Sequence, residues 1–387
     1  MATVRKRTWT TKTGPKTAWL VDYRDQAGTR RFMTFERKKE ADAALVDAQG
    51  EIKQGIHTPA RASITIAEAA ELWMRACGET PEGEAPHPNP LERSTLKQYR
   101  NHVDLHIAPL IGTMKLAKLS TPAIEQFCDE LTKKRSLPMA RKVLTSLKSI
   151  IREAQRRGLI AHNPAAPVRV KLEKRKSSKV AVGHDIPTKA EANAFIAAAE
   201  GRWRPFFATA IFTGMRASEL RGLRWNDVDF DTKVLHVRQR ANLWGDIGSP
   251  KSHAGQREIP MSPMVANALR EWKLACPKGE LDLVFPNGRG KVESHANIWN
   301  RGFSPLQVKA AIVDADGKPK YGLHALRHFF ASWAIERGFT PKRLQALLGH
   351  SSIQMTFDVY GHLFPSLEDD HAKFAAGEQS LLSSAAG

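Results

Sequence analysis

Cysteine, acidic charge and long apolar runs are all scarce in this chain, and each scarcity closes off a class of protein. The three cysteines, Cys77, Cys128 and Cys276, lie far apart with no Cys-x-x-Cys spacing, which excludes a disulfide framework and offers no zinc-ligand pattern. They read as small core residues. No stretch approaches the roughly 18 consecutive apolar residues of a membrane span, and no apolar segment follows the basic N-terminus as it would in a secretory signal. A soluble, intracellular protein with no membrane role is expected. Acidic residues number 40 against 59 lysines and arginines, a net charge of +19. Because every neutralised phosphate releases a counterion, such an excess favours a polyanionic partner, nucleic acid first. There is no Gly-x-x-x-x-Gly-Lys-[Ser/Thr] loop to cradle a nucleotide and no cluster of acids to hold Mg²⁺.

What is present is a chain of 387 residues, 42% of them hydrophobic, with material for two or three domains. The pattern predicts a mainly α protein with small β-sheets, an α+β fold class. Residues 1–57 should hold a strand pair and a helix: period-two alternation at 19–23, turn chemistry at 25–28, a second strand over Arg30–Phe35 and a helix over 38–49 that Gly50 and Gly55 then loosen. Arg5, Lys6, Arg7, Arg30 and Arg31 mark this unit as a candidate DNA-contacting module, against the plainer reading of a solvated surface.

Residues 63–170 read as helical throughout. Thr65 caps a first helix. Residues 78–90, with four prolines and three glutamates, must be an irregular loop. Ser94 is the expected cap of a helix that Pro109 and Gly112 stop, Thr121-Pro122 starts another, and 139–157 forms a long one with Val143, Leu147, Ile150 and Ile151 inside and Arg141 and Lys148 among the basic residues outside. Residues 171–183 are a basic linker whose Lys174, Arg175 and Lys176 fit a clamp on a phosphate backbone. A mostly helical unit follows over 184–364, with a strand-rich island at 228–259, and 365–387 is a tail.

Within that last unit the polar residues form an ordered series. Thr213-Gly214-Met215-Arg216-Ala217-Ser218-Glu219 comes first, then Pro250-Lys251 in a polar turn, then His324-Ala325-Leu326-Arg327-His328, then Leu348-Gly349-His350 and, ten residues after that histidine, Tyr360. Attack on a phosphodiester needs a nucleophile, charge on the non-bridging oxygens and an acid for the leaving oxygen. Arginine meets the second need with a permanently charged fork, and lysine or histidine can meet the third. Taken singly, each residue would be ordinary surface or core; spacing and order carry the information.

This series resembles the tyrosine recombinase, or phage integrase, family. TGMRASELRGLRWNDVDF at 213–230 is similar to the family's first box, PKSHAGQREIP at 250–260 to its β-hairpin, HALRHFFASW to its H-x-x-R box and LLGHSSIQMTFDVYGH to the box that ends in the nucleophile. The resemblance implies that Tyr360 attacks the scissile phosphate to form a 3′-phosphotyrosyl ester. Arg216 and Arg327 would clamp the non-bridging oxygens, with Glu219 supporting Arg216. His324 and His350 would donate hydrogen bonds and manage the tyrosyl proton, and Lys251 would be the general acid. His253 fits the lysine's place less well, His328 reads as a buried helix residue rather than a catalyst, and His362 as a flanking residue.

Neither a metal nor a high-energy cofactor is implied, since the ester keeps the bond energy. Residues 1–57 would be an arm-type DNA-binding domain, 63–170 the helical core-binding domain and 184–364 the catalytic domain. The implied setting is a homo-tetramer on synapsed attachment sites in duplex DNA, with DNA-bending and excision accessory proteins, in the cytoplasm of a bacterial cell and on its nucleoid when bound. A type IB topoisomerase-like enzyme and a non-catalytic DNA-binding regulator are the alternatives.

Overall fold

In the computed structural model, residues 2–11, 14–25, 28–53, 63–171, 179–364 and 367–384 are described. The expected contacts of Lys174, Arg175 and Lys176 fall outside these residues. The chain forms two units, Met1–Lys174 and Arg175–Gly387.

The first unit begins with an antiparallel sheet of β1 (Thr3–Thr11), β2 (Gly14–Arg24) and β3 (Arg30–Phe35), in that spatial order. The strand pair expected from sequence is thus a three-stranded sheet. Strand β1 escaped the pattern because charge and threonine fill it, leaving no apolar alternation, and pairing with β2 along its whole length is what makes it extended. Helix α1 (Lys38–Lys53) runs on through Gly50 and packs Ala41 and Ala48 against Val21 and Tyr23. Of the basic residues singled out here, Arg30 is bound to Asp22 (Nε–Oδ1 2.9 Å) and Arg31 to Asp25 (2.8 Å), and Arg5 lies 3.6 Å from Asp22. Lys6 and Arg7 are exposed.

A separate hydrophobic cluster is built by α2 (Ile66–Ala76), α3 (Arg93–His102), α4 (Ala108–Ile111), α5 (Thr121–Lys134) and α6 (Leu137–Arg156). Thr65 caps α2 in a reciprocal box with Glu68, as its spacing predicts. Two local expectations are corrected. The N-cap of α3 is Glu92, and Ser94 instead donates its hydroxyl to the Glu92 carboxylate (3.0 Å). Pro109 does not stop the helix: a π-turn over Val103–Ile107 lets the Ala108 N–H reach the Val103 carbonyl, and helical structure continues through Pro109, which has no N–H to give, to Ile111. On α6, Val143, Leu147, Ile150 and Ile151 are fully buried, each contributing about 1.5–3 kcal/mol. Arg141 is exposed, whereas the Lys148 ammonium donates to the carbonyls of Ala166 (3.2 Å) and Val168 (2.7 Å). The 78–90 loop is held at its start by Arg100, which pairs with both Glu71 and Glu79.

The second unit opens with α7 (Lys189–Ala198), α8 (Trp203–Thr213) and α9 (Ala217–Gly222). A small sheet follows, β4 (Val228–Asp229), β5 (Val234–Val237) and β8 (Arg257–Pro260) in spatial order, with the ribbon β6 (Arg240–Ala241) and β7 (Ile247–Gly248) inserted before β8. Helices α10 (Pro263–Ala275), α11 (His295–Asn297), α12 (Ser304–Lys309), α13 (Ala325–Glu336), α14 (Pro341–Leu348), α15 (Ile353–Tyr360) and α16 (Leu367–Ser384) complete it. Helix α8 is buried almost all round, and Phe206 and Phe207 join Phe195, Phe285 and Phe303 in an aromatic cluster of mostly edge-on contacts. The ends of α8, α13, α14 and α15 carry the polar series. Among the described residues no helix is long and apolar enough to cross a membrane.

Candidate active site

Two glycines set the geometry. Gly214 ends α8 and Gly349 ends α14, both with positive φ (61° and 63°), the left-handed C-cap that glycine adopts without strain. Each turns a main-chain carbonyl toward an arginine. Arg327, on the first turn of α13, donates Nη1 to Gly214 O (2.8 Å) and Nη2 to Leu348 O (2.5 Å). Arg216, at the N-cap of α9, donates Nη2 to Gly349 O (3.3 Å) and Nη1 to Glu219 Oε1 (2.8 Å).

Glu219 is buried and serves two arginines. Besides Arg216 it binds Arg257 from β8, at 2.8 Å and 3.2 Å. Burial by itself would raise its pKa, but the charges and hydrogen bonds of Arg257 and Arg216 outweigh it and hold the carboxyl at about 2. Arg257 also donates Nε to Leu347 O (2.6 Å) and Nη1 to Gly255 O (3.0 Å), so one guanidinium ties α9, the turn after Lys251 and the end of α14. Sequence reasoning missed this residue: within Gln256-Arg257-Glu258 it reads as an ordinary strand position.

Three guanidinium groups therefore gather around one carboxylate. Arg327 is 2% exposed and rests on carbonyls; burial first, then the charge of Arg216, presses its pKa down. The imidazoles feel the same field. Burial, then the charges of His328, Arg327 and Arg216, push His324 down to about 4; burial, then Arg327, Arg216 and Arg257, push His350 down to about 3. Both are neutral at pH 7, and His350 Nδ1 lies 3.0 Å from the Thr356 hydroxyl.

Tyr360, at the end of α15, is 2% exposed. Burial raises its pKa to about 12, against the opposing pull of Arg327 and Arg216. Its hydroxyl is 2.8 Å from Nδ1 of His328. His328 lies in α13 as its place in the sequence predicts, and the contact with the phenol is what the sequence did not show. The residue after Arg327 lies one helical step round from it, and from sequence nothing shows that α15 ends against that step. Lys251 is exposed and shares with Arg216, Arg240, Ser252, Gly349 and Ser351 a cleft of about 340 Å³. His253 is exposed in the following turn, and His362 Nε2 lies 2.8 Å from the Val180 carbonyl. The structure thus brings Arg216, Glu219, His324, Arg327, His350 and Tyr360 into one electrostatic neighbourhood and places Lys251 on the cleft that Arg216 borders.

Residues 187–366 match the phage integrase family, and residues 84–171 match the phage integrase central domain. The chain is 25% identical over 372 residues to a XerC-like tyrosine recombinase of Caldanaerobacter subterraneus, covering 88% of this chain and 90% of that protein. It is 30% identical over 231 residues to tyrosine recombinase XerC of Mycobacterium bovis, covering 57% and 70%. Among solved structures, a lambda integrase tetramer bound to a Holliday junction shares the fold with a TM-score of 0.57 at 19% identity, over 89% of this chain and 95% of that one. The arginine-rich site, the buried tyrosine and these likenesses place the chain in the phage integrase family, as a tyrosine-type site-specific recombinase.

Proposed function

We propose that Tyr360 is the nucleophile, attacking a scissile phosphate of duplex DNA to form a 3′-phosphotyrosyl ester, and that Arg216 and Arg327 bind the non-bridging oxygens. The observation that carries this reading is the positive charge beside the phenol: Arg327 and Arg216 both act on Tyr360, and the Glu219 carboxylate that binds Arg216 is itself shared with Arg257. A phosphodiester entering there supplies the missing negative charge, and guanidinium groups already held by carbonyls and Glu219 need no reorganisation to receive it. With a pKa near 12, about 1 phenol in 10⁵ is ionised at neutral pH, so proton loss must accompany attack. His324 and His350 hydrogen-bond the phosphoryl oxygens, a reading supported by their electrostatic coupling to Arg216 and Arg327. Lys251, on the open cleft, is the general acid for the 5′ oxygen. No high-energy cofactor enters, because the ester conserves the bond that is broken.

Duplex DNA carrying attachment sites is the partner, and residues 1–57 and 63–170 are DNA-binding domains ahead of the catalytic unit at 184–364. Lys6, Arg7 and Arg141 are exposed for phosphate contact. Arg5, Arg30 and Arg31 lie on the same sheet beside Asp22 and Asp25, and Lys148 also holds main-chain carbonyls. Assembly on synapsed DNA is a homo-tetramer, for which the tetrameric lambda integrase is the support, and DNA-bending and excision proteins set direction. The protein works in the bacterial cytoplasm, on the nucleoid when bound.

The test is Tyr360→Phe on a nicked suicide duplex carrying the element's own attachment site. No covalent protein–DNA adduct should form while binding in a gel-shift assay is retained. An adduct formed by the Phe variant would remove Tyr360 from the reaction.

A further inference from the structure

Three imidazoles gather near Tyr360, and their engagements differ. His350 Nδ1 is taken by the Thr356 hydroxyl, and the His324 ring stands edge-on to His328 with centroids 4.9 Å apart. It is His328 Nδ1 that meets the phenol, at 2.8 Å. His328 also borders a cavity of about 590 Å³, so a proton it accepts has a path to water. We propose that His328 is the base of the cleavage step, accepting the Tyr360 proton at Nδ1 as the phenol oxygen bonds to phosphorus. The inference rests on Tyr360 being the nucleophile.

The step balances. The Tyr360 O–H bond breaks and its proton passes to Nδ1; the freed electron pair forms the O–P bond; the P–O5′ bond breaks and its pair stays on O5′, which takes a proton from the general acid. In rejoining, the imidazolium returns its proton to the tyrosyl oxygen. Burial, and then the charge of Arg327, keep His328 below the usual histidine pKa, so it is a neutral acceptor at pH 7. Asp185, on the turn before α7, opposes that trend and stabilises the imidazolium once formed. Its carboxylate is held by the Ala181 N–H (3.0 Å) and by His184 (3.1 Å), which makes it a positioning group. The remaining ionisable groups facing the cavity are Lys320, Tyr321 and Asp314, with His324 on the neighbouring turn.

The experiment measures single-turnover adduct formation on the same suicide duplex across pH, with the full chain, for wild type, His328→Ala, His328→Asn and Tyr360→Phe. Asparagine can accept the phenol's hydrogen bond but cannot take its proton. Both His328 variants should slow cleavage on the order of 10²–10³-fold with unchanged DNA affinity, and the wild-type loss of rate in acid, as His328 protonates, should vanish from their profiles. An Asn variant with the wild-type rate and profile, or a wild-type protein with no acid limb, overturns the role of His328. An adduct in the Tyr360→Phe lane instead overturns the underlying nucleophile assignment. Unfolding midpoints of the variants separate lost chemistry from lost fold, and the Asn variant carries the test if the Ala variant does not fold.

Discussion

A single buried carboxylate governs the site at the level of residues. Glu219 and Arg257 have side chains only 2% and 5% exposed, and the Glu219 oxygens are shared with Arg216 at 2.8 Å. Removing one partner of such a pair leaves an uncompensated buried charge, which costs more than the pair itself contributes. Glu219→Gln is therefore expected to lower unfolding free energy by about 3 kcal/mol, measured by chemical denaturation, and to lower adduct formation because Arg216 loses its anchor. A variant within about 0.5 kcal/mol of wild type would contradict it. Glu219 was legible as a supporting acid through the resemblance of the stretch around Arg216 to the family's first box. Arg257 was not, since its partner lies 38 residues away and only the packing of β8 against α9 and α14 reveals that it is shared.

Helix ends, rather than helix faces, deliver the chemistry at the level of elements. The C-caps of α8 and α14 present the Gly214 and Gly349 carbonyls to Arg327 and Arg216. At Gly349 an added Cβ would lie 2.8 Å from the Ala254 carbonyl oxygen and 3.0 Å from Arg257 Nη1, in a left-handed conformation that itself costs about 1–3 kcal/mol for a non-glycine residue. Gly349→Ala should destabilise by at least ~1–2 kcal/mol in thermal or denaturant unfolding, and should weaken cleavage beyond that by displacing the carbonyl that Arg216 uses. Unchanged stability would show that the turn relaxes freely. The Thr65 cap of α2 was visible in the sequence, whereas the left-handed caps at Gly214 and Gly349 were shown by the fold. Strand β1 and the helix through Pro109 were not visible in the sequence either, because tertiary pairing and a π-turn overrode weak or adverse local propensity.

Taken whole, the molecule keeps several imidazoles neutral inside a strongly basic chain. Burial lowers the pKa of His102 and His106 in the first unit, and of His324, His328 and His350 in the second, His324 to about 4 and His350 to about 3. The unfolded chain titrates these groups near 6.5, so below that pH it binds more protons than the fold does, and stability falls as pH falls. Calorimetric midpoints should drop progressively from about pH 6.5 toward pH 4, and Glu219, held at about 2 in the fold but protonating in the ordinary carboxylate range once unfolded, adds to the loss below about pH 5. A midpoint flat across that range would show that the imidazoles are not held neutral. By itself the sequence determined the polyanion-seeking charge, the mainly helical class and the order of Arg216, Lys251, His324, Arg327, His350 and Tyr360, because composition, periodicity and motif order are properties of a line of residues. Only the tertiary structure decided that Arg257 shares Glu219 and that His328 meets the Tyr360 hydroxyl, because hydrogen-bond partners and the sharing of one buried carboxylate depend on which helix ends converge.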